Sequence, residues 1–375
     1  MERAPKLNLC LGLCLVLIQL LLHVGNTMGD GRKLTTNNDT NPGFISIDCG
    51  ATHDYVDKDT GIWYQTDTKF VETGTNSTVL PTVNLDYPYF GGLLSTLRSF
   101  PEGKRNCYSL KPKQGKNHTY LIRAYFAYGN YDGKNQTPIF DLYLGVNHWD
   151  TVYVGNNNDG YHITEIIHTP TTDTVHVCLV KTVVGVPFIS ALELRPLSDA
   201  IYQTSSPSQS ILINQGRFDV ASTSSATRSR YKDDIYDRLW LKLDSQNWIK
   251  GDIDIDPART NDSYKLPAQP VILEYLKPQT VVPQNAILGN VRFNISAASE
   301  SDAPPILNAF EIYQLISPIS SPTDERDVNA IMEIKDTYKI SNLDWQGDPC
   351  VPKLAWDRLS CRSGINGKNA RIVSV

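Results

Sequence analysis

Pro187-Phe188-Ile189-Ser190-Ala191-Leu192-Glu193-Leu194 ends in a period-two alternation, and the pattern returns as Pro305-Ile306-Leu307-Asn308-Ala309-Phe310-Glu311-Ile312. Leu197 and Leu315 hold the same place after each copy, an offset of 118 residues. A short alternating run bounded by proline is a strand signature, so one strand type has been used twice. Upstream, Tyr55, Asp57, Trp63 and Asp67 correspond to Tyr231, Asp233, Trp240 and Asp244, where the tryptophans lie 177 apart. The two offsets differ by 59, so the second unit repeats the first with about 59 residues missing. The gap falls where the first unit carries Tyr120 to Leu144, and a sandwich without those central strands is expected to expose sheet edges.

Around this repeat the chain is a series of short alternating runs separated by turns: Ile45-Ser46-Ile47, Tyr120 to Tyr125, Phe140 to Leu144, Thr174 to Val180 and Ala191 to Leu194. The pattern predicts a mainly β fold, an antiparallel sandwich or jelly roll. A Ser-rich segment from Ser205 to Ser210 interrupts it, and strand-like runs resume at Ile211. The expected units are therefore a sandwich A over 44–198 and a shortened sandwich B over 199–316. A Ser/Pro linker, Ser317 to Pro322, leads to the one strong helix pattern, followed by Trp345, Cys350, Trp356 and Cys361. Thr323 or Asp324 can cap that helix, Asp327 suits its N-terminal dipole, and Val328, Ile331, Met332 and Tyr338 form an apolar stripe.

Charged residues make up 20% of the 375, and the formal charge of −5 is not offset by any basic stretch, which argues against a nucleic-acid partner. Glu2, Arg3 and Lys6 precede an apolar run from Leu9 to Leu22, and Gly25, Asn26, Thr27 and Gly29 follow it. That is the layout of a signal peptide over 1–29, with a flexible polar leader over 30–43. The run falls short of the ~20 apolar residues a membrane span needs, so the cleaved chain as written is expected to have no span. Asn-x-Ser/Thr acceptors at Asn38, Asn76, Asn117, Asn135, Asn261 and Asn294 agree with a secretory route and an extracellular or cell-surface location. Cleavage leaves Cys49, Cys107, Cys178, Cys350 and Cys361, an odd number in an oxidising compartment, so one thiol is left over.

Four stretches carry a family resemblance: Phe44 to Gly50, Arg98 to Tyr108, Tyr128-Gly129-Asn130-Tyr131-Asp132-Gly133, and the repeated Pro-x-x-x-Ala-x-Glu strand. They resemble the plant malectin-like domain, and Trp345 to Cys361 is similar to the cysteine-pair cap that precedes leucine-rich repeats in malectin-like receptor kinases. The resemblance implies tandem malectin-type β-sandwiches, with 317–375 as linker, helix and repeat cap. It also implies a receptor of the plasma membrane whose repeats, span and kinase lie outside these residues. A disulfide between Cys350 and Cys361 would suit such a cap, with a zinc pair as the alternative; Cys49, Cys107 and Cys178 leave three pairings open.

The resemblance first suggests carbohydrate binding, which needs convergent aromatic rings with carboxylates or amides at a loop edge. The candidates are Tyr128, Asn130, Tyr131 and Asp132, with Tyr55, Asp57, Trp63 and Tyr64 from a neighbouring loop. The competing reading makes Trp63 and Tyr125 core aromatics and the Gly129–Gly133 stretch a tight turn. Malectin places an acidic residue just ahead of the Pro-x-x-x-Ala strand, where this chain has Val183-Val184-Gly185-Val186, which favours a peptide or partner receptor. Asp252 to Asp256 mimics a calcium loop but has Pro257 where glycine is needed and Ser263 where glutamate belongs. The seven histidines are scattered, nucleophile elbows and phosphate loops are missing, and Glu193 and Glu311 recur in equivalent strands, which favours a structural role. The expectation is a non-catalytic recognition module without cofactor or metal, binding a cell-wall oligosaccharide or a secreted peptide, with a receptor or co-receptor partner. A secreted decoy or scaffold is the alternative, and a glycan hydrolase using Asp132 or Glu193 the remote one.

Overall fold

The strands are, in chain order, β1 (Ile45–Asp48), β2 (Tyr55–Val56), β3 (Trp63–Thr66), β4 (Thr75–Thr78), β5 (Thr96–Ser99), β6 (Arg105–Leu110), β7 (Tyr120–Ala127), β8 (Ile139–Leu144), β9 (Asn147–Tyr153) and β10 (Tyr161–His168). They continue as β11 (Val175–Val184), β12 (Phe188–Ile189), β13 (Ala191–Pro196), β14 (Ser210–Asp219), β15 (Arg228–Arg230), β16 (Leu239–Lys242) and β17 (Ala309–Ile316). Helix α1 (Glu325–Thr337) follows, then β18 (Ser360–Arg362) and β19 (Arg371–Ser374). This computed structural model describes residues 43–79, 90, 92–155, 160–199, 201–202, 204, 206, 208–220, 227–243, 307, 309–340, 344–351, 355–362, 364 and 369–375. The signal-like run, the leader, Asn38, Asn261, Asn294 and the Asp252–Asp256 stretch lie outside the described residues.

The largest sheet runs β15-β16-β14-β10-β7-β13-β1-β3-β2, with β17 also paired to β14. Its first-unit strands face a four-stranded sheet, β6-β11-β8-β9, and a three-stranded one, β12-β5-β4. The core between them is apolar: the rings of Phe126, Phe140 and Phe188 meet one another at 5.7–6.3 Å.

The repeat is visible as topology. β1 pairs antiparallel with β13 and parallel with β3, whose hairpin partner is β2. β14 pairs antiparallel with β17 and parallel with β16, whose hairpin partner is β15. Register repeats too: Asp48 stands opposite Ala191 and Asp219 opposite Ala309. The two parallel pairings depart from the antiparallel expectation. β13 pairs with β7 on its far side, whereas its counterpart β17 pairs only with β14 among the described residues; β14 itself bonds to β10 across the Ser-rich segment.

Alternation predicts one solvated face per strand, yet β7 is buried at all eight positions. The reason lies on the outer face of the large sheet, where Arg123, Glu165, Glu193 and Arg195 are roofed by residues of the second unit. Arg123 meets Glu165 and, at 2.7 Å, Glu193. Glu165 meets Arg217, and Arg217 lies 3.3 Å from Glu311. The two repeated glutamates thus end one chain of alternating charges, Glu193–Arg123–Glu165–Arg217–Glu311. Asp237 joins it through Arg195 at 2.8 Å and through Arg230, and Glu311 passes it on to Arg238 and Asp234.

At the C-terminal end, Asp324 caps α1 by accepting from Arg326 N. Ile331 packs with Trp345, Trp356 and Leu359, and the two indoles stack at 5.2 Å. The stripe expected of the helix is narrower than its sequence suggested. Met332 is 38% and Tyr338 74% exposed, because this small unit has room for one face of the helix, filled by Ile331 and Ile334.

Breaking a buried pair leaves an uncompensated charge, at a cost of about 3–5 kcal/mol. Glu193→Gln is therefore expected to lower the free energy of unfolding by about that amount in urea, while Asp57→Asn, in an exposed turn, changes it by under ~1 kcal/mol.

Candidate ligand-binding site

The expected site residues fall into two groups that the register keeps apart. Trp63 is level with Ile45, whose neighbours across the sheet are Leu194 and then Ile122. Tyr128 follows the end of β7, six residues beyond Ile122. At 3.3 Å per residue that is roughly 20 Å along the sheet, with three strand spacings across it.

In the first group polar atoms are committed internally. The Tyr55 hydroxyl donates to Asp48 Oδ2 at 2.7 Å, and its ring stacks on Tyr64 at 5.7 Å. Tyr64 is buried and donates to Glu193, with Arg230 Nη1 3.2 Å from its oxygen. Asp57 Oδ1 accepts from Thr60 N and Thr60 Oγ1, closing the β2–β3 turn, and Trp63 stands half-buried in β3. The second unit repeats the first of these contacts, since Tyr231 donates to Asp219. The recurrence of Tyr55 as Tyr231 therefore marks a strand-end clasp.

The second group is a tight turn with positive φ at Gly129, Asn130, Gly133 and Asn135. The Tyr128 hydroxyl donates to Asp132 Oδ1 at 2.5 Å, and that oxygen also accepts from Lys134 N at 3.2 Å. Asn130 spends both ends of its amide on Asn135, with Nδ2 to Oδ1 and N to Oδ1 contacts of 2.8 Å each. Tyr128 and Tyr131 meet at 5.6 Å and both lean on Phe188. Beside this turn, Val183 is fully exposed, and Gly185 lies so close to Pro138 that a Cβ would come within 2.7 Å. Val184, Ile139 and Tyr153 line up across β11, β8 and β9, with Tyr153 52% exposed. The valines stand where the sequence lacks the acid, and of them Val183 alone is exposed, at the register shift between Lys181 and Val184 that alternation does not reveal.

The cysteines settle into two bonds: Cys107–Cys178 joins directly opposed residues of β6 and β11, and Cys350–Cys361 closes the C-terminal loop in place of a zinc pair. Cys49 is a buried free thiol. Among the described residues no cluster of three His, Cys, Asp or Glu side chains could hold a metal ion, and no helix is long and apolar enough to cross a membrane.

These features define a class: a mainly β module, built on a repeated strand motif, stapled by disulfides and carrying an aromatic turn at one sheet end. The family model of the malectin-like domain matches residues 47–272, and the chain belongs to that family. It is 36% identical over 401 residues to a putative leucine-rich repeat receptor-like protein kinase of Arabidopsis thaliana, covering 89% of this chain and 44% of that protein. The chain thus spans less than half the length of this curated relative. Among solved structures it is similar to the ANX2 ectodomain from Arabidopsis thaliana, with 15% identity and a TM-score of 0.45 over 60% of this chain and 61% of that one. It is also similar to a chain in a complex of the plant peptide RALF23 with FER and LLG2, with 15% identity and a TM-score of 0.42 over 63% and 61%.

Electrostatics separates the two clusters of buried carboxyls. Burial alone would raise Glu165, but the Arg123 and Arg217 guanidiniums outweigh it and hold this carboxyl below the usual range. Asp48 faces two hydroxyls, Tyr55 and Thr96, and burial pushes it up to about 7. Its proton is therefore bound in the folded chain and absent from the unfolded one between about pH 4 and 7, so its stabilising share is lost as pH rises through that window. His168, half-buried against Ser210 Oγ and pushed down to about 4 by desolvation, acts with the opposite sign, losing its share as pH falls below about 6.5. Asp48→Asn isolates the first effect. Relative to the parent chain its stability is expected to rise by roughly 2–3 kcal/mol between pH 5 and 8 in urea titrations.

Proposed function

We propose that this chain is a non-catalytic extracellular recognition module of receptor-kinase type, and that it meets a peptide or protein partner through the end of the first sandwich. The exposed Val183, near a turn in which Asp132 and Asn130 are already partnered, carries this reading. A neutral sugar needs free carboxylates and amides converging on an aromatic face, whereas Asp132 and Asn130 are engaged within their own turn. Apolar and aromatic side chains at an exposed rim suit a polypeptide surface.

Family membership and the receptor-like kinase relative support the receptor setting. A signal peptide over 1–29 and acceptor asparagines at exposed Asn76, Asn117 and Asn135 fit secretion. We read the architecture as sandwich A over 44–198, a shortened sandwich B over 199–316, and a linker, helix and leucine-rich-repeat cap over 317–375.

The test uses the secreted chain with a photo-crosslinker at position 183, and titration calorimetry with cell-wall oligosaccharides. Val183→Asp is expected to weaken association with the crosslinked polypeptide at least tenfold, with no saturable heat from the sugars. Saturable oligosaccharide binding that Tyr131→Ala abolishes and Val183→Asp leaves intact would overturn the proposal.

A further inference from the structure

The small sheet is roofed as well, at its β6 and β11 end, by residues 344–351. Lys104 N donates to Asp344 Oδ1 at 2.7 Å, and Cys107 N donates to Gln346 Oε1 at 2.9 Å. These two acceptors cover the backbone of β6, an edge strand of that sheet. Arg105, 4% exposed, donates from Nη1 to Val351 O at 2.8 Å and from Nη2 to Asp348 O at 3.0 Å. Asp348 in turn accepts from Thr323 N at 2.8 Å and from Cys350 N at 3.0 Å, which ties the docked loop to the start of α1 and to the Cys350–Cys361 bond.

Directly above the Cys107–Cys178 disulfide lies Gly347, with φ +66°; a Cβ there would stand 2.8 Å from Cys107 Sγ and 3.0 Å from Cys178 Sγ. Only a residue without a side chain lets the loop come down onto the two sulfurs. Cys107 and Cys178 are 4% and 0% exposed, and Tyr143 and Val180 complete their surroundings. A thiol reaches a disulfide sulfur along the S–S axis, so access decides the rate.

We propose that the docked C-terminal unit gates the Cys107–Cys178 disulfide. While 344–351 sits on β6 the bond is closed to thiols, and undocking turns it into a reducible one. In the open state a thiolate of an added dithiol attacks one cysteine sulfur and the Cys107–Cys178 bond breaks. The reagent's second thiol then closes it to a cyclic disulfide, and the two electrons it gives up leave both cysteines as protonated thiols. Reduction removes the platform under Gly347, so the two events reinforce each other.

The experiment treats the chain with dithiothreitol under native conditions, traps thiols with an alkylating reagent, and follows each cysteine by peptide mass spectrometry. In the parent chain Cys350–Cys361, of which Cys361 is half-buried, is expected to reduce at least tenfold faster than Cys107–Cys178. Gly347→Ala is expected to speed reduction of Cys107–Cys178 at least tenfold, and the gentler Gln346→Ala and Asp344→Ala severalfold, with less than a twofold change in global unfolding rate. The proposal fails if Cys107–Cys178 reduces as fast as Cys350–Cys361 in the parent chain. It fails equally if all three variants leave the rate unchanged, or change it only in proportion to the global unfolding rate.

Discussion

Burying the Arg123 guanidinium in the middle of a sheet is the constraint from which most of this architecture follows. An isolated charge there would cost many kcal/mol, so every donor it turns outward must meet a partner that is itself compensated. Glu193 and Glu165 flank it, and both need further cations, which arrive as Arg195 and Arg230 on one side and Arg217 on the other. Following the pairs to their ends gives five guanidiniums and five carboxylates among the described residues, a neutral set. Three of the five cations and three of the five carboxylates belong to residues after 199. The network therefore closes only when the second unit lies against the first, and the sheet edge shared by β10 and β14 fixes where it lies. Such pairs add less stability than apolar packing of the same volume, but they penalise every other placement of the two units by leaving charges unpaired.

The same logic holds on the opposite face with different chemistry. There the roof is a short loop, and its anchor is the Arg105 fork on two carbonyls together with a glycine on a disulfide. The first-unit sheets are thus roofed twice, across the large sheet by an ionic lattice and at the β6 end of the small sheet by hydrogen bonds between side chains and backbone. This explains a local irregularity of the sequence. Strands of a free sandwich alternate polar and apolar, whereas β6 and β7 are almost wholly buried because neither has a solvated side.

The repeat was legible from residues, and so was the structural character of Glu193, because a catalytic acid has no reason to recur in an equivalent strand. Tyr55 carries the same signal through its twin Tyr231, and both hydroxyls clasp an aspartate at a strand end. The pairing of Cys107 with Cys178 could not be read, because it depends on the β6–β11 register, which alternation leaves open by any even shift. The roofing of β7 was hidden for a related reason. Arg123 and Glu165 in alternating positions look solvated, and only a partner distant in sequence makes them buried. A charged residue inside an otherwise apolar eight-residue run was the available sign.

Where a ligand can act on such a body follows from what is already used up. The outer face of the large sheet is covered around Arg123 and that of the small sheet along β6 and β11, and the strand-end clasps at Asp48 and Asp219 hold the hairpins of the two units in place. At the sandwich rim, the turn after β7 pairs Asp132 and Asn130 within itself while Lys134, Asn135 and Gln136 stay exposed, and at the end of β11 Val183 is fully exposed. A fold shared by a family does not carry a ligand with it; the chemistry of the rim does. Replacing an acidic rim by an apolar one removes the group that would have fixed a sugar hydroxyl and adds surface whose burial is worth about 25 cal/mol per Å². On the proposed reading, a partner able to collect that energy presents an apolar surface of its own, which a side-chain-bearing polypeptide does and a hydroxylated sugar ring does only on one face.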